Sequence, residues 1–287
     1  MGVVATCAPP LPVVKPLGIK LPDKACDCHF HIFDKPSVQV EGRSYTAPLA
    51  PLNDYRTLQK KLGLTRSVIV QPSVYGRDNR TTLGVKGGDP NMRAVVVIDA
   101  ATPKEHLAEL ADAGAVGCRV NLLFASNVVH ENLQELAHRI ADFGWHIQIL
   151  ADLSNLENIS DIVKALPVPV VFDHLGHIPA DKGVKSSAFQ RCLKLLSEGD
   201  IWVKLSGAYR VTAQDSPRYL DVRPMVEALV SSNPERLVWG SDWPHPQIPV
   251  AMPDDTDLLR LFLEWVPEAE ARQKILVDNP GLLYDFD

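Results

Sequence analysis

The chain repeats one pattern eight times: a short apolar run rich in β-branched residues is followed by a longer segment with apolar residues at helical spacing. In chain order the runs are ACDCHFHIF, SVIVQPS, AVVVIDA, VGCRVNL, WHIQILA, VPVVFDH, IWVKLSG and LVWGSDW. Each run predicts a buried strand, because alternation with helices is typical of parallel sheets covered on both faces. Helices are predicted at Leu52–Leu62, Thr102–Ala113, Asn132–Phe143, Ser187–Ser197 and Arg223–Ser232, with a weaker pattern at Asp78–Gly84.

Eight strand–helix units favour closure of the sheet into a barrel over an open sheet. An open sheet usually has a glycine-rich phosphate loop after its first strand, and this chain has none there. We therefore predict an α/β fold, a (β/α)₈ TIM barrel, as a single catalytic domain over residues 21–287. Residues 1–20 are rich in proline and are predicted to form an N-terminal arm on the surface.

The composition argues against several kinds of partner. The formal net charge is -6 and there is no long basic run, so we expect neither nucleic acid nor a membrane surface as a partner. The N-terminus lacks the charged start of a signal peptide. Five cysteines without the spacing of a disulfide framework indicate reduced thiols and a cytoplasmic protein. The oligomeric state is not indicated by the sequence.

Polar side chains collect at the carboxyl ends of the predicted strands, where a barrel of this kind carries its chemistry. Alternation places His29 and His31 on one face of the first strand with Asp27, and Cys26 and Cys28 on the other. If the histidines point into the barrel, the cysteines are predicted to point toward the helices as small buried groups. Two histidines on a buried strand both need hydrogen-bond partners, so we interpret them as functional residues.

A third histidine and a carboxylate come from other strand ends. His174 lies at the end of the sixth run and Asp242 at the end of the eighth. Together with the first two histidines they can bind a divalent metal through nitrogen and oxygen ligands. They can equally bind a water molecule and a carbonyl group without metal. Asp173 is adjacent to His174 and is therefore expected to face the other way, in a structural role.

The ordered motifs resemble those of the amidohydrolase superfamily. The resemblance rests on HFH at 29–31, VFDHLG at 171–176 and VWGSDWPHP at 238–246, with support from IVQPSVYGRDN at 69–79, GCRVNLL at 117–123 and DNPGLLYDF at 278–286. It is greatest for the branch that contains 2-pyrone-4,6-dicarboxylate hydrolase and related sugar-lactone hydrolases and isomerases. The resemblance implies a distorted barrel of the amidohydrolase type, with its site at the carboxyl ends of the strands.

The resemblance also implies roles in the hydrolysis of a lactone. Asp242 is expected to activate water as a general base, and His29, His31 and His174 to polarise the ester carbonyl. The same four residues are the expected ligands if a divalent metal such as zinc is bound. The fourth strand offers no lysine for carboxylation and the fifth has no histidine at its end, unlike the superfamily's metal-dependent patterns. We therefore expect that no cofactor is required.

The expected substrate is a small lactone that carries a carboxylate. Arg119 and Arg210 are the candidates to bind that carboxylate, because a guanidinium forms a two-pronged contact that lysine cannot copy. The other candidates for substrate binding are Tyr45, Ser73, Asn121 and His177. The pyrone hydrolase pattern has an arginine where this chain has His177, another after the fourth strand and a tyrosine near the end of the fifth. A lactone with one carboxylate, resembling an aldarolactone or muconolactone, is therefore at least as well supported as the pyrone dicarboxylate.

Three alternatives to the hydrolase stay open. A lactone isomerase would use the same site, with the substrate's own hydroxyl in place of water as the attacking group. A metal-dependent decarboxylase of the superfamily would require zinc at the histidines. A binding protein without turnover is disfavoured, because all four predicted catalytic residues are present.

Overall fold

Eight parallel strands lie side by side in the order in which they occur in the chain and form a nearly closed barrel. The computed structural model describes residues 4–12, 15–34, 38–123, 129–248 and 250–287, with only the backbone for residues 129–132. The strands are β1 (Cys26–Phe30), β2 (Arg66–Val70), β3 (Met92–Val96), β4 (Ala115–Asn121), β5 (His146–Leu150), β6 (Val170–Phe172), β7 (Ile201–Leu205) and β8 (Leu237–Trp239). The helices are α1 (Leu52–Leu62), α2 (Arg80–Lys86), α3 (Lys104–Asp112), α4 (Val129–Ala141), α5 (Ile159–Lys164), α6 (Ser187–Glu198), α7 (Ala208–Val211), α8 (Arg223–Ser232), α9 (Asp255–Trp265), α10 (Ala269–Gln273) and α11 (Asn279–Tyr284).

The predicted (β/α)₈ barrel is confirmed. Every apolar run overlaps a strand, and α1 and α8 have the predicted bounds, while the other predicted helices differ by a few residues at their ends. Helix α6 shows why local signals suffice for such elements. The Ser186 hydroxyl accepts a hydrogen bond from the Phe189 N–H at its start, and Gly199 ends it in a left-handed conformation.

The strands separate two apolar regions. Their outward side chains share one apolar cluster with the helices, which includes Ile69 and Phe172 from strands and Leu58 and Leu196 from helices. Inside the barrel, a second cluster contains Cys26, Cys28, Val68, Val70, Val95, Val171, Trp202, Val238, Tyr284 and Phe286. The last two residues close the amino-terminal end, since Phe286 lies against Arg66 and Arg93 at the starts of β2 and β3. The apolar filling at this end leaves the carboxyl end of the barrel for polar groups.

Strand β1 contains a β-bulge. Asp27 pairs with Ser67 and Phe30 pairs with Ile69, so three steps along β1 match two steps along β2. One extra residue in a strand shifts the side chains that follow it to the opposite face.

The bulge overturns the predicted faces of β1. Cys26 and Cys28 belong to the apolar cluster inside the barrel and do not face the helices. Asp27 does not share a face with the histidines, because its carboxylate accepts a hydrogen bond from the hydroxyl of Tyr55 on α1. The bulge permits His29 to face the interior directly after Cys28 does.

Hydrogen bonds from the segment that follows β8 close the barrel against β1. The Asp242 N–H donates to the His29 carbonyl at 2.8 Å, and the His31 N–H donates to the Trp243 carbonyl at 2.7 Å. A Cβ at Gly240 would lie 2.7 Å from the His29 Cβ, so only glycine permits this approach. Barrel closure therefore sets the distance between the first-strand histidines and Asp242.

The buried carboxylate of Asp27 stabilises this junction between β1 and the segment after β8. Its Oδ1 accepts from the backbone N–H groups of His29 at 3.1 Å and Ser241 at 2.9 Å. Its Oδ2 accepts from the hydroxyls of Ser241 at 2.6 Å and Tyr55 at 3.1 Å. One side chain thus joins β1, α1 and the residues after β8.

Part of the predicted N-terminal arm contacts the barrel. The Cys7 N–H donates to the Thr46 carbonyl, and the Thr46 N–H donates to the Ala5 carbonyl, both at 2.9 Å. Residues 1–3 and 13–14 of the arm lie outside the described residues. The division into an arm (1–20) and a barrel (21–287) stays a prediction. Across the described ranges, every helix falls short of the length and apolar character needed to cross a bilayer.

We expect Asp27→Ala to lower the free energy of unfolding by about 3–5 kcal/mol, because four buried donors lose their acceptor. Urea unfolding followed by circular dichroism measures the change. Asp23→Ala is the control, since that carboxylate is exposed and should change stability by no more than about 0.5 kcal/mol. Equal stability of the two variants would contradict the role assigned to Asp27.

Candidate active site

The ends of β1, β6 and β8 bring the four predicted catalytic residues together. His29 Nε2 lies 3.2 Å from His31 Nε2. Asp242 Oδ1 lies 3.7 Å from the Nε2 of His29, and 3.8 Å from that of His31 and of His174. Three imidazoles therefore surround one carboxylate oxygen, and all four side chains are buried.

A cavity of about 290 Å³ opens at this cluster. Nine of the ten predicted site residues line it, namely His31, Tyr45, Ser73, Arg119, Asn121, His174, His177, Arg210 and Asp242. The tenth, His29, is fully buried next to His31. The size and the few convergent polar groups suit a small ligand.

Asp242 is held through one oxygen and open at the other. Its Oδ2 accepts from the Tyr209 hydroxyl and from Arg210 Nε, both at 2.6 Å. Its Oδ1 is buried and has no hydrogen-bond partner in the described part of the chain. Burial alone would raise the pKa of Asp242, but the positive charge of the Arg210 guanidinium outweighs burial and holds the pKa well below its usual value. Near neutral pH, Asp242 is therefore a carboxylate with one oxygen able to accept a proton.

Hydrogen-bond partners locate the protons of the first-strand histidines. His31 Nδ1 lies 2.7 Å from the Val70 carbonyl, which can only accept, so His31 is protonated at Nδ1 and has a lone pair at Nε2. Lys204 Nζ donates to His29 Nδ1 at 3.3 Å, which places the His29 proton on Nε2, toward His31. Asp173 Oδ1 is also 3.3 Å from His29 Nδ1, but only Lys204 meets that nitrogen in hydrogen-bond geometry.

His174 presents its proton differently. Its Nδ1 lies 2.9 Å from the Ser206 hydroxyl, which can donate to it and leave the Nε2–H for a ligand. Burial lowers the pKa of His29 to about 4 and lowers the pKa values of His31 and His174 well below the usual value. All three imidazoles are therefore neutral near neutral pH, and His174 has a donor available to the cavity.

A buried ionic network lies inside the barrel beside His29. Lys204 Nζ donates to the Cys28 carbonyl at 2.9 Å and to Gln148 Oε1 at 2.7 Å. Asp173 Oδ2 accepts from Gln148 Nε2 at 2.9 Å and from Arg119 Nε at 3.1 Å. Lys204 and Asp173 are 3.5 Å apart. Each charged group has an oppositely charged partner, so the network forms a rigid support beneath the histidines.

The alternation of side chains along the strands does not predict most of this network. It predicts a structural role for Asp173 and does not single out Gln148 or Lys204. The available signal is a single polar residue in an otherwise apolar strand, as in HIQIL and IWVKL. Such a residue must find a buried partner, which makes it a candidate member of an interior network.

The backbone explains why Asp173 and His174 both reach the interior. The φ of His174 is 48°, and Leu175, Gly176 and His177 have φ values of 59°, 67° and 53°. The chain thus leaves β6 through consecutive left-handed residues, and strand alternation no longer applies. Asp242 is also left-handed, with a φ of 63°. For residues other than glycine this conformation costs about 1–2 kcal/mol each, a form of strain common at functional sites.

The two predicted substrate arginines differ in their partners. Arg210 donates from Nε to Asp242 and from Nη2 to the Pro246 carbonyl at 3.0 Å. Arg119 uses Nε for Asp173, and its two terminal nitrogens have no hydrogen-bond partner in the described ranges. The cavity wall also has neutral polar groups from Tyr45, Ser73 and Asn121. Among the described residues, Arg119 therefore has both terminal nitrogens free for an anion, whereas Arg210 has only Nη1 free.

The donor atoms of the cluster fit a divalent cation. His29, His31 and Asp242 can each offer one ligand atom within 4.8 Å of the others, as can His29, Asp173 and His174. Separations of 3.2–3.8 Å between the imidazole nitrogens and Asp242 Oδ1 suit tetrahedral zinc with bonds of about 2.0–2.1 Å. The unpartnered Asp242 Oδ1 and the contact from His31 Nδ1 to a carbonyl are also compatible with a metal.

Two cations already contact the candidate metal ligands. Lys204 Nζ lies 3.3 Å from His29 Nδ1, and Arg210 Nε lies 2.6 Å from Asp242 Oδ2. Arg119 brings a third positive charge to the cavity wall, where its Nε pairs with Asp173. These groups would repel a further cation at the cavity and attract an anion.

The chain matches a family model described as amidohydrolase over residues 26–286. It is 34% identical over 289 residues to 4-sulfomuconolactone hydrolase of Rhizobium radiobacter, covering 98% of this chain and 96% of the relative. It is 35% identical over 280 residues to 2-pyrone-4,6-dicarboxylate hydrolase of Comamonas testosteroni, covering 92% and 91%. It is 32% identical over 270 residues to D-galactarolactone isomerase of Agrobacterium fabrum, covering 92% and 91%. An apo crystal structure from Agrobacterium tumefaciens has a TM-score of 0.84 at 30% identity, covering 95% of this chain and 99% of that one.

We expect the purified protein to contain far less than one zinc per chain and to keep its activity after dialysis against a chelator, because Lys204 and Arg210 already contact the candidate ligands His29 and Asp242. Elemental analysis by mass spectrometry measures the metal. Asp242→Asn is the matched comparison, since it removes a candidate ligand. One zinc per chain that survives dialysis in the wild type and is lost from Asp242→Asn would contradict this expectation.

Proposed function

The chain belongs to the amidohydrolase family, and we propose that it hydrolyses the ring ester of a small lactone that carries a carboxylate. The membership predicted from the ordered motifs is thereby confirmed, and relatives at 32–35% identity are named as two lactone hydrolases and a lactone isomerase. The observation that carries the proposal is the position of Asp242 Oδ1. This buried oxygen has no hydrogen-bond partner in the described ranges. Three imidazoles surround it, and Asp242 borders the cavity.

Asp242 takes a proton from water while the water oxygen attacks the carbonyl carbon of the lactone. A new C–O bond forms, and the carbonyl electron pair moves onto oxygen to give a tetrahedral oxyanion. When the oxyanion collapses, the ring C–O bond breaks and the departing alkoxide takes the proton from Asp242. One water is consumed, and the product is an open hydroxy acid whose new carboxyl group ionises.

His174 is the principal donor to the oxyanion in this proposal. Its Nε2–H is available because Ser206 can donate to its Nδ1, and one such donor contributes about 3–4 kcal/mol in comparable sites. His31 Nε2 accepts the Nε2–H of His29, so these two histidines hold each other in place beside Asp242. In this proposal His174 polarises the carbonyl, and His29 and His31 support the site in place of the polarising role predicted for them.

The substrate carboxylate pairs with Arg119 in this proposal. The two terminal nitrogens of Arg119 can form two parallel hydrogen bonds to a carboxylate. Tyr45, Ser73, Asn121 and His177 supply neutral contacts to the remaining ring substituents, since burial lowers the pKa of His177 and keeps it neutral. These features support a lactone with one carboxylate over a dicarboxylate.

A divalent metal, where bound, would be held by His29, His31, His174 and Asp242, and would supply a Lewis acid and a more acidic bound water. We propose that the reaction does not require it, because Asp242 supplies a base and His174 a donor. The cytoplasmic location and the absence of nucleic acid and membrane partners also stay proposals. The first is supported by five free cysteines, four of them buried.

A library of carboxylated lactones, assayed for acid release with products identified by NMR, tests the proposed function. In oxygen-18 water, hydrolysis places one label in the new carboxylate, whereas an unlabelled rearranged lactone would identify an isomerase. Methyl esterification of the substrate carboxylate should raise KM about tenfold or more, because Arg119 loses a charged partner. If no carboxylated lactone is turned over, the proposed function is wrong.

We expect Asp242→Asn to lower kcat by about 100-fold or more, because an amide cannot accept the proton from water. Steady-state kinetics with the best lactone measure the loss. Asp181→Asn is the control, since Asp181 is exposed and should retain wild-type kcat. Near-normal activity of Asp242→Asn would exclude Asp242 as the base.

A further inference from the structure

We propose that Tyr209, backed by the buried pair His245 and Asp255, is a positioning residue that aims Asp242 at the attacking water; the inference rests on the function proposed above. None of the three is among the residues that line the cavity, and each is at most 2% exposed. They therefore act on the reaction through Asp242 and not by touching the substrate.

The three side chains form one chain of contacts that leads away from Asp242. The Tyr209 hydroxyl is 2.6 Å from Asp242 Oδ2 and 2.8 Å from His245 Nδ1. His245 Nε2 is 3.1 Å from Asp255 Oδ1. The Tyr209 and His245 rings meet edge to face, with centroids 5.3 Å apart. These contacts thus lead from the proposed base, Asp242, to Asp255, the first residue of α9.

The donors and acceptors available allow only one direction for the hydrogen bonds between these side chains. A carboxylate only accepts, so the single Tyr209 proton points at Asp242. The Tyr209 oxygen must then accept from His245 Nδ1–H, which fixes the orientation of the His245 ring. Asp255 Oδ1 lies 3.1 Å from the remaining nitrogen of that ring but is not in hydrogen-bond geometry with it. Tyr209 therefore cannot rotate away without leaving His245 Nδ1 unpaired in the interior.

The contact with Tyr209 decides which oxygen of Asp242 is free. Tyr209 and Arg210 both bind Oδ2, and this leaves Oδ1 toward the imidazoles. Arg210 alone would hold the Asp242 carboxylate less firmly, because its side chain borders the cavity and can also contact a bound ligand. Loss of the Tyr209 hydroxyl would therefore let the carboxylate turn, and small errors in the placement of a reacting group reduce rates about 100-fold.

The test uses Tyr209→Phe, His245→Leu and the double variant, with kcat and KM measured separately. We expect each single variant to lower kcat about 10- to 100-fold with KM changed by less than about threefold, because neither residue touches the substrate. The double variant should be no slower than the slower single variant, because the residues act as one chain. His245→Asn should recover part of the loss, since its amide can still donate to the Tyr209 oxygen. Tyr219→Phe is the matched control, a buried neighbour whose ring centroid lies 6.4 Å from that of Tyr209, and it should keep wild-type kinetics.

Wild-type kcat in Tyr209→Phe, multiplicative losses in the double variant, or a rise in KM alone would each overturn the proposal. Crystal structures of the wild type and Tyr209→Phe separate it from the lactonase proposal. A turned Asp242 carboxylate in the variant supports positioning even if every lactone fails as a substrate, whereas an unchanged carboxylate contradicts it. Thermal unfolding of each variant shows that the compared proteins are folded.

Discussion

The carboxyl end of this barrel depends on the mutual pairing of the charges buried there, because an unpaired charge removed from water is very costly. Lys204 and Arg119 both meet Asp173, and Arg210 meets Asp242. These pairs occupy the interior between the apolar amino-terminal end and the cavity, and they hold the imidazoles in place. In such surroundings an unpaired oxygen is informative, and Asp242 Oδ1 is the one that borders the cavity.

Barrel closure and the proposed catalytic geometry depend on the same residues. The hydrogen bonds between the segment after β8 and the end of β1 close the sheet, and they also set Asp242 against His29 and His31. Asp27 fastens this junction from the helix side. Stability and the proposed activity are therefore linked, because a change that opens this junction also separates Asp242, the proposed base, from the histidines.

The cations at the cavity support the proposal of an anionic ligand bound without metal. Imidazole spacing alone is compatible with zinc. Lys204 and Arg210, however, already contact the candidate ligands His29 and Asp242. Arg119 has terminal donors free in the described ranges, which suits a carboxylate on the proposed substrate.

The sequence by itself determined the barrel, because hydrophobic periodicity is local, and it placed the histidines and Asp242 at carboxyl ends of strands, which must meet in a parallel barrel. Nine of the ten predicted residues line one cavity, and the resemblance to a family supplied those away from strand ends, such as Tyr45. Only the tertiary structure decided which way Cys28 and Asp173 point, since one inserted residue in β1 and one left-handed φ at His174 each reverse an alternation pattern. It also decided that Arg210 binds Asp242, because hydrogen-bond partners come from strands that are distant in the chain and adjacent only after folding.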